Sequence, residues 1–186
     1  MSSILEDFFA QDPVSCARRL IGCHFMWNGC VGRIVETEAY DSVDDPACHT
    51  WLRPSTRAFV ANQHAGDAYV YMNYGVHWLL NFLVKGASED GFVLIRALDP
   101  TLGILRMRCR RSTDDPTRLC SGPGKLTQAL GIDGSSHGLD FLRGNAIKIL
   151  ASTTLHPVVE TPRIGISKAA DLPWRFVLKD NPHVSG

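Results

Sequence analysis

The spacing of apolar residues changes period several times along the 186-residue chain, and each change predicts an element. Val14, Ala17, Leu20 and Ile21 fall on one helical stripe. Asp12 suits the N-cap, and Pro13 after it has no N–H to leave unpaired. Gly22 can close that helix in the left-handed conformation. Asn28-Gly29 predicts a tight hairpin turn, and a strand follows over about 30–40. Its alternation puts Ile34, Glu36, Glu38 and Tyr40 on one face and Val35, Thr37 and Ala39 on the other. Residues 41–57 are polar and turn-rich and read as a long loop, a kind of segment that often carries function.

Two strands are expected at 68–74 and 76–84, with Asn73, Tyr74 and Gly75 at the turn between them. Tyr74 then projects from a hairpin tip, where a large aromatic is unusual. A further strand at 92–98 ends in Asp99-Pro100, and the helix after it carries Arg106, Arg108, Arg110 and Arg111. Ser121-Gly122-Pro123-Gly124 opens another helix, with Lys125, Leu126, Ala129 and Leu130, closed by Gly131. Later strands are expected at 145–151 and 174–178. Strands and helices without strict alternation predict an α+β fold: a single compact domain over 1–186, with a curved, mostly antiparallel sheet and flanking helices.

Composition adds limits. Hydrophobic residues make up 45%, enough for one sizeable core. No apolar run reaches bilayer length, and the acidic start is no signal peptide, so a cytoplasmic location is expected, nucleoid-associated in a prokaryote and nuclear otherwise. The six cysteines form no Cys-x-x-Cys pair and match no zinc spacing, so reduced thiols and no metal are expected. The net charge of +0 hides an asymmetry. Residues 1–100 hold 7 Lys/Arg against 12 Asp/Glu, and residues 101–186 hold 12 against 7. The arginine run could meet phosphates, or be a solvated helix face.

Five groups of residues could carry chemistry. Glu36 and Glu38 share a face beside a histidine-bearing loop, so one could be a general base; both could equally be solvated sheet residues. Tyr69 and Tyr71 also share a face, and aromatics there stack on bases or fill a core. His49 in Cys48-His49 is a pocket wall or a satisfied structural residue. Asn81 and Arg96 are polar positions inside apolar strands, which need partners and could floor a polar pocket. Gly122 and Lys125 at a glycine-rich helix start could hold one phosphate, or simply cap the helix.

Six segments in order carry a resemblance over nearly the whole chain: RIVETEAY at 33–40, DDPACH at 44–49, YVYMNYGVHWLLN at 69–81, VLIRALDP at 93–100, LCSGPGKLTQALGI at 119–132 and PRIGISKAADLPWRF at 162–176. Together they resemble the alkyladenine (3-methyladenine, N-methylpurine) DNA glycosylases. That resemblance implies a monofunctional, cofactor-free base-excision repair enzyme, a monomer acting on double-stranded DNA with an alkylated or deaminated purine. Such an enzyme flips the purine out, hydrolyses its N-glycosidic bond and leaves an abasic site. It implies Glu38 as the base that activates water, held with Arg96 and the backbone carbonyl of Ile164. Tyr40, His49 and Tyr71 become the walls around the extruded base, and Asn81 the group that clashes with a normal guanine. Tyr74 becomes the wedge in the duplex, with Lys125 and Gly122 at the backbone. Ala58 departs from the family's usual asparagine, which bears on the order of the preceding loop. A catalytically inert DNA-binding relative and a nucleoside hydrolase are the alternatives; Glu38 speaks against the first and Tyr74 against the second.

Overall fold

A computed structural model describes residues 8–87, 89–140, 142 and 147–186. Helix α1 (Pro13–Leu20) begins at Asp12, whose carboxylate accepts from the Ser15 amide at 2.8 Å. It ends before Gly22, which takes φ +88° and donates its amide to the Ile34 carbonyl. A Cβ there would strike the His156 ring at 2.1 Å, so the position needs glycine for space as well as conformation.

Strands β1 (His24–Trp27) and β2 (Cys30–Asp41) turn about Asn28-Gly29, both at positive φ, as a right-twisted hairpin requires. Helix α2 (Pro54–Asn62), β3 (Ala68–Asn73), β4 (His77–Lys85) and β5 (Asp90–Leu102) follow. Helices α3 (Ile104–Arg111) and α4 (Pro123–Leu130) precede β6 (Ile147–Leu150), β7 (Val158–Thr161) and β8 (Arg175–Leu178). The eight strands form one antiparallel sheet in the order β3-β4-β5-β2-β1-β6, with β8 pairing both β2 and β7. The α+β architecture is therefore the one expected.

β2 decides where the chemistry sits. One edge runs along β5; on the other, its first residues pair with β1 and Glu36–Glu38 pair with β8. The change of neighbour coincides with a bulge that skips Val35. A bulge bends a strand and re-aims its side chains. Strict alternation is interrupted there: Ile34 and Val35 both enter the main core. Beyond it, Thr37 turns toward α1 and donates to the Ala17 carbonyl at 2.8 Å, and Ala39 joins the same core. Glu36, Glu38 and Tyr40 take the opposite side.

Three expectations need correction. The segment 41–57 is not one long loop: it holds a 3-10 turn (His49–Trp51) and the start of α2. Helix α2 has little apolar periodicity, because only Thr56, Phe59 and Val60 are buried. The segment is tied down despite Ala58, since Arg57 donates to the Thr50 carbonyl at 2.5 Å and Thr50 to that of Ser42 at 2.8 Å. β5 does not stop at Asp99-Pro100; Pro100 lies opposite Gly32 beside a register shift, where a missing N–H is tolerated. The late strands are shorter than expected, and residues 145 and 146 lie outside those described.

A second, smaller core lies between α2 and the sheet, made of Cys48, Phe59, Val60, Tyr69, Leu83 and Phe92, with Tyr40 and Tyr71 packed on it. It backs the site.

Candidate active site

A cleft of about 300 Å³ opens beside this smaller core, a size suited to one small planar group. Tyr40, His49, Tyr71, Tyr74, Asn81, Arg96 and Ile164 all line it, so seven positions expected from distant parts of the chain converge. Glu38 is fully buried just behind that lining. Its Oε1 accepts from the Ile164 amide at 2.7 Å; its Oε2 accepts from the Tyr40 hydroxyl at 2.8 Å and from Arg96 Nη1 at 3.3 Å. All three donors belong to residues of the cleft wall. Neither glutamate is a solvated sheet residue: Glu36 is as buried as Glu38. At Ile164 it is the amide that engages Glu38, where the resemblance emphasises the carbonyl.

Burial disfavours charge on Arg96, but Glu38 and Glu36 beside it outweigh that and hold the guanidinium cationic. Tyr40 and Tyr71 stay protonated, mainly through burial and then through the charge of Glu38 on Tyr40 and the neighbouring Tyr69 on Tyr71. His49 is pushed down to about 4 by burial, aided by the Arg53 cation, so its ring is neutral at pH 7. It meets Tyr71 edge-on at 4.4 Å between centroids. Its Nδ1 shares a hydrogen bond with the Tyr69 hydroxyl at 3.1 Å, and that hydroxyl also meets Thr56 Oγ1 at 2.9 Å. Asn81 is buried and donates to the Tyr69 carbonyl at 3.1 Å. Burial also raises the Cys48 thiol, so it is no ready nucleophile.

The sequence reading missed the support beneath Tyr40. Asp45 and Arg163, 118 residues apart, form a forked and wholly buried ion pair, with Arg163 Nη2 at 2.9 Å from Oδ1 and Nη1 bonded to Oδ2. The same guanidinium lies 4.6 Å from the Tyr40 ring centroid and donates to the Ala39 carbonyl. Both residues lie in the resembling segments, yet in turn-rich sequence, where charge is ordinarily solvated. Removing one partner of such a pair typically costs about 3–5 kcal/mol.

Tyr74 sits at the β3–β4 tip and is 88% exposed. Its φ is +50° and that of Gly75 +68°, closed by a Val76 amide to Asn73 carbonyl bond. A bulky residue in this conformation is strained, and strain of this kind clusters at functional sites. Gly122 caps α4 at φ 145°, Pro123 lines the cleft, and Lys125, two residues on, is exposed. A Cβ on Gly124 would meet His77 at 2.8 Å, so α4 starts directly against β4. The arginine run behaves differently. Arg106, Arg110 and Arg111 donate to the carbonyls of Asn28, Ala129 and Leu119, and Arg108 lies 4.0 Å from Asp114. The run ties α3 to its surroundings, although Arg106 stays exposed.

The profile of the family described as Methylpurine-DNA glycosylase (MPG) matches residues 7–182. A Rhodopseudomonas palustris protein is 47% identical over 96% of this chain and 85% of its own. One from Nitrosospira multiformis is 45% identical over 95% and 91%, and one from Chlorobium luteolum 43% identical over 100% and 97%. Each of the three carries the name "Putative 3-methyladenine DNA glycosylase".

Proposed function

Because the chain belongs to the methylpurine-DNA glycosylase family, we propose that it excises alkylated or deaminated purines from duplex DNA with Glu38 as its general base. The protein is a base-excision repair DNA glycosylase, a hydrolase of N-glycosyl bonds, and DNA is its substrate. One observation carries the assignment of roles: a fully buried carboxylate, gripped through both oxygens by three residues of an aromatic cleft.

A base within the stack is out of reach of a nucleophile aimed at its sugar carbon, so it must leave the duplex, at a cost of a few kcal/mol. Tyr74 fills the gap. Tyr40, His49 and Tyr71 receive the base, each stacked face contributing roughly 1–3 kcal/mol. The neutral His49 ring and the protonated tyrosines suit a cationic alkylpurine. Asn81, pinned through its amide nitrogen, opposes the 2-amino group of normal guanine. Water held by Arg96 and the Ile164 carbonyl gives a proton to Glu38 as its oxygen attacks the sugar carbon. The electrons of the broken bond leave with the purine, and the carboxylate stabilises the oxocarbenium-like transition state. No lysine lies among the cleft-lining residues to form a covalent adduct, so the product is an intact strand with an abasic site. Lys125 and the Gly122 end of α4 hold backbone phosphate. We take the enzyme to act as a monomer, one molecule per damaged site. Among the described residues no helix is long and apolar enough to cross a membrane. Because its substrate is DNA, we place the enzyme with the chromosome, in the cytoplasm at the nucleoid of a prokaryote and in the nucleus otherwise. An inert relative has no need of a gripped Glu38, and a nucleoside hydrolase has no need of Tyr74.

Wild type and Glu38→Gln are incubated with duplexes bearing one hypoxanthine or one methylated purine, and hot alkali then breaks abasic sites. Loss of about 10²–10⁴-fold in excision with duplex binding retained is the expected result, the usual contribution of a positioned base. An active Glu38→Gln enzyme refutes the role; excision of free nucleosides but not duplex lesions refutes the substrate.

A further inference from the structure

The second carboxylate is as buried as the first but is kept away from the cleft. Glu36 Oε1 accepts from Arg96 Nε at 2.9 Å, Arg175 Nε at 2.7 Å and Ser185 Oγ at 2.8 Å. Its Oε2 accepts from the Ser185 amide at 2.7 Å. Ser185 Oγ is also 3.5 Å from Arg96 Nη2, and the Ser185 carbonyl accepts from Arg175 Nη2 at 3.1 Å. Ser185 lies beyond residues 7–182, those matched by the family profile.

Arg96 thus has each guanidinium nitrogen addressed: Nε by Glu36, Nη2 by Ser185 and Nη1 by Glu38. A guanidinium is planar, so fixing one edge fixes where the remaining nitrogen points. Left with one carboxylate, an arginine prefers the forked, two-bond pair. Such a fork on Glu38 would add a second donor to Oε1, which now accepts only the Ile164 amide while Oε2 already accepts two donors, and so take up the last lone pair that could receive a proton from water. Here the Glu38 contact is a single long one at 3.3 Å, while the shorter bond goes to Glu36.

We propose that Glu36 and Ser185 are positioning residues that hold Arg96 in a single-bond contact with Glu38 Oε2 and so leave Oε1 able to take a proton from water. The proposal rests on Glu38 being the base. Ser185 is the place to test it, because trimming one hydroxyl leaves its backbone bonds to Glu36 and Arg175 in place.

Single-turnover excision, duplex affinity and Tm are measured for wild type, Ser185→Ala and Ser185→Thr, on the lesion that wild type removes fastest. Ser185→Ala should slow the chemical step about tenfold, the effect of one such interaction on a barrier, with affinity and Tm unchanged. Ser185→Thr, which keeps the hydroxyl, should restore the rate. In an Arg96→Lys background, where no fork can form, Ser185→Ala should cost nothing further. A wild-type rate in Ser185→Ala overturns the proposal, as does a loss that merely follows weakened binding or folding, or the same tenfold loss in the Arg96→Lys background. Glu38→Gln in the same assay separates the two readings: if it stays active the base assignment falls, and if it is inactive while Ser185→Ala is normal only the positioning falls.

Discussion

The inner and outer ends of the cleft are built on opposite terms. At the inner end, Glu38 has both oxygens bonded, Tyr40 rests on a buried ion pair, and His49 and Asn81 are tied to Tyr69. At the outer end, Tyr74 is 88% exposed on a turn whose φ suits glycine better, and Met72 and Val76 beside it are exposed as well. The inner end spends stability on holding its groups in fixed places, which is what preorganised catalysis requires. The outer end leaves apolar surface without a protein partner and stores backbone strain. That arrangement makes sense if a base stack supplies the missing contacts.

The largest expected effect that sharpens this contrast is at the tip. Tyr74→Gly should weaken excision from duplex DNA by about 10–100-fold, the worth of roughly 1–3 kcal/mol of stacking. The fold should barely notice. Glycine relieves a left-handed tyrosine but loosens the unfolded chain, and the two terms are each about 1 kcal/mol, so Tm should move by no more than about 2–4 °C. Excision of the same lesion from single-stranded DNA should fall much less. Equal losses on single and double strands would break the contrast, because Tyr74 would then be acting as part of the pocket.

His49 gives a smaller effect at the inner end, seen through pH. Its folded value of about 4 lies below the ordinary value of 6.5. Between those values the unfolded chain binds the proton and the folded chain does not, so stability falls as pH drops through that window and no further below it. Thermal melts at pH 7 and pH 4.5 should show wild type losing more Tm than His49→Gln, whose side chain cannot titrate. Parallel losses in the two proteins would mean that His49 is solvated enough to titrate normally.

Much of the inner end was legible in the sequence because its signals were local. Asn81 and Arg96 stand out as polar residues in apolar strands, and both reach the cleft. Asp12-Pro13 and Asn28-Gly29 name their own elements, since a cap and a two-residue turn are set by adjacent residues. What escaped depends on contacts made across the chain. The bulge at Val35 arises where β2 exchanges β1 for β8, and alternation along β2 alone cannot reveal a partner as distant in sequence as Val177 is from Glu36. Asp45 and Arg163 look solvated until the fold buries them together. Helix α2 escaped because its buried positions are few, although Pro54 after Arg53 offered a start signal. Glu36 and Glu38 read alike from alternation along β2, and only the resemblance singled out Glu38; the fold separates them by their donors, which come from the cleft wall for Glu38 and from Arg96, Arg175 and Ser185 for Glu36.

The smallest effect tests which cations face DNA. Lys125 is exposed at the α4 start, two residues from Pro123 of the cleft wall, whereas Arg111 donates to the Leu119 carbonyl at 3.1 Å and to Gln128 Oε1 at 2.5 Å. A side chain that touches phosphate contributes to the salt dependence of binding, because its contact releases counterions. Lys125→Ala should therefore weaken duplex binding several-fold and lower the slope of log K against log[salt] by about 1, with Tm unchanged. Arg111→Ala should do the reverse: it loses bonds that join α3 to α4, costs about 1–2 kcal/mol in a denaturant melt, and leaves the salt slope alone. If the slope changes with Arg111 and not with Lys125, the DNA track runs over α3, and the outer end of the cleft extends much farther from Tyr74 than the exposed lysine implies.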